Sequence, residues 1–372
     1  MASANTNEAG IQARPARGRS ASPAEDRIGQ PKPESTDQAG TLPYPGKLPA
    51  RQGALSSGLL RLISNLVGLV CGRQAFVVVN YHRVLAQPEP MLDSEPDVHA
   101  FRWQMKLLAT CFNVLPLGEA LRALEQGTLP ARAICITFDD GYRSVHDLAL
   151  PVLREFGLPA TVFITSGVIG AGNMWNDRIL HVVQSLPPGL LDLTDLGLGQ
   201  YQLGSTLTRK RVAGTLSETG KYLPPKKRQA LVERLDRLSG RDQEALMLTP
   251  EMVLALDNGG IEIGAHTVSH PILTCLEDEN AMHEIRAGKS ELEAIIGKPV
   301  RLFAYPNGKV DKDYDQRHVG MVKEAGFAAA FTTAVGAITR NSDPYQLPRS
   351  RPWDASPLRF GLRLLYWLAA VR

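Results

Sequence analysis

The sequence predicts an α/β protein built as a (β/α) barrel. Short, continuous apolar runs such as Phe76–Val79 and Ala133–Phe138 are typical of strands that are buried on both faces. Segments with helical periodicity lie between these runs, and this alternation is the pattern of parallel β/α units. At least six such units follow one another within about 270 residues, which favours a barrel over an open sheet.

The elements alternate regularly until a long interruption. The predicted strands are 76–79, 112–115, 133–138, 161–164, 261–264, 301–304 and 328–332, and the predicted helices are 101–109, 117–125, 145–156, 279–296 and 314–325. Residues 178–250 are leucine-rich and basic and predict a helical insertion on the loop side of the barrel. Their basic residues, including Lys226, Lys227 and Arg228, form either a solvated face or contacts to an anionic group such as a lipid phosphate.

The two ends of the chain differ from the barrel. Residues 1–53 are rich in Ala, Ser, Pro and Gly, so we expect a disordered tail. Residues 54–74 predict an amphipathic helix that either packs on the domain or lies on a membrane surface. The barrel is expected to span 75–352, and residues 353–372 predict a C-terminal amphipathic helix that either caps the barrel or lies in a membrane interface.

Composition excludes several classes of protein. The chain has 372 residues, 44% hydrophobic and 21% charged, which is unlike fibrous or wholly disordered chains, and its net charge of +3 indicates no nucleic-acid partner. The four cysteines lack CxxC spacing, so we expect buried, reduced thiols rather than disulfides or a thiolate zinc site. Neither a secretory signal nor a spanning apolar run is recognisable, so we expect a cytoplasmic location that includes the inner face of the membrane.

The first candidate for chemistry is the segment Thr137–Gly141, TFDDG, at the end of a predicted buried strand. Barrel enzymes carry their reactive groups at the carboxyl ends of strands, and Gly141 permits the turn that such an end needs. Because Asp139 and Asp140 are adjacent, one carboxylate can bind a metal while the other stays free as a base. Taken alone, the segment is equally compatible with a surface Asp-Asp-Gly turn.

The second candidate is the segment 266–270, HTVSH, directly after another predicted strand. If this segment is helical, His266 and His270 face the same way at a spacing typical of metal ligands. Two imidazoles and one carboxylate form a three-ligand site with an open position for water. Because both motifs follow buried strands, together they indicate a metal-dependent enzyme more strongly than either does alone.

The segment 134–164, together with EIGAHTVSHPIL and FAYPNG, resembles the polysaccharide deacetylases, the NodB-homology enzymes of carbohydrate esterase family 4. The resemblance covers about residues 75–350, and the pairing of TFDDG with H[ST]xxH is specific. It implies a distorted (β/α)7-type barrel and one divalent metal ion, usually Zn²⁺, that serves to remove acetyl groups from N-acetylated sugars. The chain is most similar to the branch with an N-terminal Tyr-His motif, such as the poly-N-acetylglucosamine deacetylases.

The resemblance assigns roles to the two motifs. Asp139 matches the general base, and Asp140, His266 and His270 match the metal ligands. Such a site fits amide hydrolysis, because a bound metal lowers the pKa of water and a neighbouring carboxylate takes its proton.

A third motif, FAYPNG at 303–308, matches the family segment whose backbone amide helps to hold the oxyanion. Tyr305, Pro306 and Asn307 are therefore candidates for oxyanion and substrate binding.

Two family features are missing from their usual places. Many members carry an arginine in the third motif that orients the base, whereas this chain has Ala304, and we expect Arg349 or Arg351 to supply that charge. A surface ion pair is the alternative for either arginine. Many members also take their general acid from a C-terminal Leu-x-His motif, but no histidine follows His318. His82, directly after the predicted strand 76–79, is the expected general acid, and a structural histidine at the barrel mouth is the alternative.

Aromatic residues near the motifs are further candidates. Tyr142 and Tyr305 flank motif residues and are expected to line the acetyl pocket. Trp175 follows the strand at 161–164 and is expected either to shape the sugar site by stacking or to pack in the core.

The expected function is hydrolysis of an N-acetyl or O-acetyl group on a sugar of a bacterial polysaccharide or its lipid-linked precursor. The expected partner is an N-acetylated glycan or glycolipid, and the sequence leaves the oligomeric state open. Two alternatives remain: a degenerate barrel that binds a glycan without turnover, and a metal-dependent amidohydrolase that acts on a small non-sugar amide.

Overall fold

The computed structural model describes residues 74–170, 172–240, 243–351 and 354–370. The predicted tail at 1–53 and nearly all of the predicted helix at 54–74 lie outside the described residues.

The predicted α/β class is confirmed by a curled, mainly parallel sheet. The strands are β1 Ala75–Tyr81, β2 Asn113–Val114, β3 Ala133–Phe138, β4 Thr161–Ile164, β5 Gly189–Asp192, β6 Gln200–Leu203, β7 Glu262–Ala265, β8 Leu302–Ala304, β9 Ala329–Phe331 and β10 Ile338–Thr339. The main sheet has the order β10-β1-β3-β4-β7-β8-β9, and the short strand β2 also pairs with β3. All of these pairings are parallel except that of β1 with β10.

Both faces of the sheet are buried, as the apolar runs predict. Val77 and Val79 of β1 belong to the main apolar cluster, which includes the surrounding helices. Phe76 and Val78 point the other way and belong to a second cluster inside the curl. Alternate residues of a strand face opposite sides, so a strand buried on both sides has no polar face.

An extended segment at 347–350 lies between the two outer parts of the sheet. Leu347 exchanges backbone hydrogen bonds of 2.8 and 2.9 Å with residues at β9, and Ser350 exchanges bonds of 2.8 and 3.1 Å with β1. The sheet therefore curls into a half-barrel whose two sides are joined by this segment.

The described helices cover the outside of the curl and form the insertion. They are α1 Val98–Cys111, α2 Leu117–Gln126, α3 Leu150–Phe156, α4 Trp175–Ser185, α5 Thr206–Lys221, α6 Pro225–Ser239, α7 Pro250–Asn258, α8 Asp278–Ile296, α9 Gln316–Glu324 and α10 Pro357–Ala369. The predicted helix at 145–156 begins as a π-helical turn, Val145–Ala149, and continues as α3. Among the residues that the structure describes, no helix has both the length and the apolar composition that a membrane span requires.

The insertion follows β4 and has an apolar cluster of its own. Helices α4, α5 and α6 contribute most of this cluster, which includes Ile179, Leu216 and Leu231. It also contains an antiparallel hairpin, β5–β6, which the prediction of a helical insertion lacked. The hairpin is short, and its turn is fixed locally, because the Asp192 carboxylate accepts hydrogen bonds from both the amide and the hydroxyl of Thr194.

The C-terminal helix α10 packs on the barrel. Phe360, Leu364 and Trp367 are buried in the main cluster, and the Phe360 ring meets the edge of Trp103 on α1 at 5.5 Å. Tyr366 on the opposite side is 67% exposed. Of the cysteines within the described residues, Cys111 and Cys135 are buried and Cys275 is exposed, so the expectation of buried thiols was wrong for Cys275.

Candidate active site

Three potential metal ligands meet where β3 and β7 end. Asp140 follows β3, His266 follows β7, and the Nε2 atoms of His266 and His270 lie 3.5 and 3.4 Å from Asp140 Oδ1. One ligand atom from each residue lies within 4.8 Å of the other two. Asp140 and His266 are buried, whereas His270 is partly exposed. The sequence motifs therefore come together although 126 residues separate Asp140 from His266.

The histidine segment is a loop, so the helical arrangement under which the two imidazoles were expected to face the same way does not apply. Thr267 has φ 65° and His270 has φ 53°, values outside the right-handed helical region. The Thr267 hydroxyl accepts a hydrogen bond of 3.1 Å from the His270 amide. This local bond, rather than a helical turn, brings the two imidazoles to the same ligand position.

Helix α8 supports the histidine loop from outside. The Glu284 carboxylate accepts hydrogen bonds of 2.8 Å from the amides of both Val268 and Ser269. Gly288 lies so close that a Cβ there would be 2.9 Å from the carbonyl carbon of Thr267. The absence of a side chain at Gly288 thus lets the helix approach the loop backbone.

The other ligand is held by an equally constrained turn. Asp140 has φ 72° and Gly141 has φ 86°, so the chain reverses immediately after β3. His266 Nδ1 lies 2.7 Å from the carbonyl oxygen of Ala304, an acceptor that places a proton on Nδ1 and leaves Nε2 free for a ligand bond. The position that matches the family arginine thus contributes its backbone carbonyl to the site.

Charge coupling within this group of ligands is strong. Burial opposes ionisation of Asp140, but the nearby imidazoles of His266 and His270 hold the pKa of this carboxyl well below its usual range. For His266, burial favours the neutral ring, yet Asp140 and Asp139 together raise its pKa. Burial is the main reason that the pKa of His270 falls to about 4.

Asp139 lies beside the three potential metal ligands and forms a two-point ion pair with Arg349. Arg349 Nη1 and Nη2 donate to the two oxygens of Asp139 at 2.6 and 2.9 Å, and both side chains are buried. Asn80 Nδ2 donates a further bond of 3.0 Å to Asp139 Oδ2. Arg349 reaches this place because the segment 347–350 runs between β1 and β9. Burial opposes ionisation of Asp139, but Arg349 and His266 hold its pKa below the usual value.

Arg351, the other candidate for this role, has different partners. It pairs with Glu95 at 2.7 Å, and its Nη1 lies 3.3 Å from His82 Nδ1. An arginine can only donate, so His82 Nδ1 is the acceptor and Nε2 carries the proton of the neutral ring. His82 lines the same pocket as Asp140, of about 370 Å³.

Tyr142 lines this pocket too and belongs to a buried polar group. Its hydroxyl donates a hydrogen bond of 2.9 Å to Asp177 and accepts one of 3.0 Å from Arg83. Arg83 also forms an ion pair with Asp177, and its guanidinium lies 4.1 Å from the centre of the Tyr142 ring. Burial, with the Asp177 charge, raises the pKa of the Tyr142 phenol well above its usual value.

The prediction that the Tyr305 side chain lines the acetyl pocket was wrong. The ring is fully buried and stacks on Tyr314 with centroids 3.8 Å apart, and its hydroxyl donates to the carbonyl oxygen of Tyr345. Its backbone amide is also engaged, since it donates to the Phe331 carbonyl at 3.0 Å. Asn307, with φ 57°, follows at the turn of this motif.

Pro306 is buried within the same turn, and its carbonyl oxygen accepts a bond of 2.6 Å from the Gly308 amide. The motif is therefore a tight turn at the end of β8. Within it, the Asn307 amide donates to no backbone carbonyl of the described residues.

Of the two roles expected for Trp175, sugar stacking and core packing, the structure shows core packing. The ring packs in the apolar cluster of the insertion, and the Arg228 guanidinium lies 5.1 Å from its centre. Asn176 and Asp177, rather than Trp175, line the pocket. Arg228 is buried, and so one member of the basic run forms neither a solvated face nor an exposed patch.

Several residues at the site were not predicted from the sequence. Asn80 carried a usable signal, because it is a polar residue inside the apolar run FVVVNY. Glu95, Arg83 and Glu284 carried none, since each becomes important only through a partner distant in the chain.

Comparisons with known proteins agree with this geometry. The family model described as "Polysaccharide deacetylase" matches residues 126–330. A poly-beta-1,6-N-acetyl-D-glucosamine N-deacetylase of Staphylococcus epidermidis is 24% identical over 292 residues, which are 74% of this chain and 78% of the relative. The proteins of the same name in Staphylococcus aureus are 22–23% identical over 63% of this chain, which spans only 59% of their length.

Solved structures show the same fold. The Streptococcus pyogenes deacetylase PplD, solved in complex with acetate, aligns with a TM-score of 0.53 and 18% identity over 79% of this chain and 99% of its own. IcaB from Ammonifex degensii aligns with a TM-score of 0.50 and 18% identity over 80% of this chain and 98% of its own. Since the matched family model covers more than half of the sequence, this chain belongs to the polysaccharide deacetylase family, as a hydrolase of carbon–nitrogen bonds.

Proposed function

We propose that the protein removes the N-acetyl group from a hexosamine residue of a bacterial polysaccharide or of its lipid-linked precursor, with a divalent metal ion, Zn²⁺, as cofactor. The observation that carries the proposal is the convergence of Asp140, His266 and His270 beside Asp139 at one end of the sheet. The names of the staphylococcal relatives favour N-acetylglucosamine as the sugar and an amide as the bond.

The donor set fits a divalent metal. Asp140 Oδ1 is buried and has no hydrogen-bond partner among the described residues, although two imidazole nitrogens face it. A buried carboxylate oxygen in this state is costly unless a cation compensates it. Two histidines and one carboxylate are a common set of ligands for Zn²⁺, which leave a position for water and substrate. A metal ion bound there would lower the pKa of a bound water molecule and would polarise the acetyl carbonyl.

Asp139 is the proposed general base. Its pairing with Arg349 keeps the carboxylate ionised at neutral pH and holds both of its oxygens through two hydrogen bonds. The carboxylate can then accept a proton from the attacking water while Arg349 balances its charge.

His82 is the proposed general acid. It belongs to the pocket that Asp140 also lines, and because Arg351 lies at Nδ1, Nε2 is the ring nitrogen left to face a substrate. A protonated imidazole at this place can give a proton to the nitrogen that leaves as the amine. Glu95, which faces both His82 and Arg351, compensates the additional positive charge.

The Asn307 amide is the proposed backbone donor to the oxyanion. The Tyr305 amide is already bonded to Phe331, and Pro306 has no amide hydrogen. The tetrahedral intermediate of amide hydrolysis carries its negative charge on the former carbonyl oxygen, and a fixed N–H group stabilises that charge. The cellular location and any membrane contact stay the predictions made from the sequence.

A test needs two measurements on one preparation. The wild type is purified without added metal, bound divalent metal is measured by elemental mass spectrometry, and acetate release is measured with β-1,6-linked N-acetylglucosamine oligomers. We expect about one metal ion per chain, lost in His266→Ala, and acetate release that Asp139→Asn abolishes without loss of the metal.

The alternatives give different results. A folded wild type that binds no metal even after zinc is supplied, and releases no acetate, would leave the glycan-binding barrel as the better explanation. Metal binding with acetate release from small non-sugar amides alone would favour the amidohydrolase. Release from O-acetylated sugars alone would correct the bond from an amide to an ester.

A further inference from the structure

Two segments meet across one side of the active-site mouth, and we call them together the mouth bridge. One is the segment 89–93 after β1, and the other is formed by α4 and α5 of the insertion. Met91 in the first segment is buried in the apolar cluster of the insertion with Val212 and Leu216. The ion pair of Lys210 with Asp93 adds to this contact, and Arg83, which lies between β1 and this segment, pairs with Asp177 of α4.

The bridge passes over the end of β3. At its carboxyl end β3 pairs with β1 on one side and β4 on the other, and the two halves of the bridge follow β1 and β4 in the chain. Asp139 and Asp140 lie at the end of β3. The insertion therefore covers the strand end that carries the proposed base and one proposed metal ligand.

A pocket of about 370 Å³ lies beneath the bridge. The barrel contributes His82, Asp140 and Tyr142 to its wall, and the insertion contributes Asn176, Lys210 and Ser217. Small-molecule sites range from about 300 to 1,000 Å³, so this volume suits one or two sugar rings and not a long stretch of polymer. Lys210 of α5 lines the pocket and pairs with Asp93, so this ion pair joins the two halves of the bridge at the pocket wall.

The wall from the insertion has groups suited to a sugar. Asn176 Oδ1 is buried and has no hydrogen-bond partner among the described residues, so it can accept a bond from a hydroxyl group. Asp177 is not available, because Arg83 and Tyr142 occupy its oxygens. Met91 and Leu180 supply an apolar surface beside these polar groups. Such a mixture of apolar wall and a few oriented polar groups is typical of ligand sites.

We propose that this pocket binds the terminal sugar of the substrate, so that the enzyme deacetylates an end-presented N-acetylhexosamine, on a short or lipid-linked saccharide, rather than interior residues of a long polymer. The inference rests on the function proposed above and adds to it the position of the reacting sugar. The Asn176 carbonyl and the Ser217 hydroxyl are the proposed specificity contacts, and Lys210 and Asp93 keep the end of the pocket closed.

The test is to locate the deacetylated residue. A β-1,6-linked N-acetylglucosamine pentamer with a labelled reducing end is incubated to low conversion, and tandem mass spectrometry gives the position of each free amine. We expect one terminal position to dominate in the wild type. Lys210→Ala and Asp93→Ala should open the bridge and spread deacetylation to interior positions, and Arg211→Ala, an exposed cation next to Lys210, is the matched control.

Two further variants keep the test decisive if an opened bridge weakens the fold. Ser217→Trp should fill the pocket and abolish turnover of the pentamer while the thermal midpoint and metal content stay at wild-type values. Asn176→Ala should raise KM about fivefold with little change in kcat, which corresponds to one lost hydrogen bond of about 1 kcal/mol.

The failures are distinguishable. Acetate release with interior and terminal positions attacked equally would overturn the terminal pocket and leave the deacetylase function in place. Wild-type turnover by Ser217→Trp would overturn it as well. A protein that releases no acetate from any glycan would remove the proposed function, and this inference with it.

Discussion

Arg349 and Asp139 form a buried, two-point ion pair although 210 positions separate them in the chain. The pair joins the segment between β1 and β9 to the end of β3, so it is a contact across the mouth of the curled sheet. Arg349 Nε also donates to the Thr332 carbonyl oxygen at 3.2 Å, and its guanidinium lies 5.1 Å from the centre of the Phe163 ring. Arg349 is thereby fixed on several sides and can orient the carboxylate.

The first prediction concerns this pair. Arg349→Ala should lower kcat by about 10²-fold, because an unsupported base no longer holds its position relative to the substrate. It should also shift the acidic limb of the kcat/KM profile to higher pH, since burial would then raise the pKa of Asp139 without compensation. Acetate release measured between pH 5 and 9 checks both effects.

Stability gives a control for the same pair. Arg349→Ala should lower the free energy of unfolding by about 3–5 kcal/mol, because it leaves a buried carboxylate without its partner. Asp139→Asn in the same chain should recover part of that loss, since it removes the uncompensated charge. Denaturant unfolding of the wild type, both single variants and the double variant measures the coupling. Purely additive losses would show that the pair is not an energetic unit.

The second prediction concerns His82. His82→Ala should lower kcat by about 10²–10⁴-fold, because proton transfer to the leaving nitrogen loses its donor. The metal content should stay at the wild-type value, since His82 is not one of the three grouped ligands. Elemental analysis and acetate release on the same sample separate the two effects. Normal turnover would reject His82 as the acid and leave it a structural histidine.

The sequence was informative where a pattern is local. The apolar runs located β1, β3, β4, β8 and β9 to within two residues at each end, since buried strands have few polar residues. The motifs TFDDG and HTVSH likewise pointed to side chains that the structure brings together. Local patterns could not give the choice between Arg349 and Arg351, because it depends on the path of the segment 347–350 between two strands.

The insertion was the least predictable part. Trp175 and Asn176 are adjacent, and the sequence left sugar stacking and core packing equally open for Trp175. The helix turns Trp175 into the cluster of the insertion and Asn176 towards the pocket. Side-chain direction in a helix depends on where the helix docks, and Met91 and Lys210 make that contact from elsewhere in the chain.

The third prediction concerns the pH dependence of stability through Glu95. Burial opposes ionisation of Glu95, but Arg351 and His82 hold its pKa below the usual value. A carboxyl whose pKa is lower in the folded state stabilises the fold above its unfolded pKa of about 4.3, and this contribution is lost as the pH falls through the folded pKa. The wild type should therefore be more stable than Glu95→Gln at pH 7, and the difference should shrink below about pH 4.

Denaturant midpoints of both proteins at pH 7, 5 and 3.5 measure this difference. Glu155→Gln, which removes a carboxylate from an exposed pair with Arg102, is the matched control and should change stability by less than about 1 kcal/mol at every pH. An advantage of the wild type over Glu95→Gln that grows on acidification would contradict a lowered pKa of Glu95 in the folded state.

The last prediction separates structural and substrate roles in the insertion. Trp175 packs against α5 so closely that a Cβ at Gly220 would lie 3.1 Å from its ring. Trp175→Ala should therefore lower the free energy of unfolding by roughly 3 kcal/mol, the low end for a buried tryptophan because this ring is only partly buried. Trp175→Phe should lower the free energy of unfolding much less, because the indole Nε1 is buried without a partner among the described residues and its loss removes no hydrogen bond.

Both Trp175 variants should keep the wild-type KM under conditions where they are folded, whereas Asn176→Ala should raise KM with little loss of stability. A raised KM for Trp175→Phe at unchanged stability would instead place the indole in contact with the sugar.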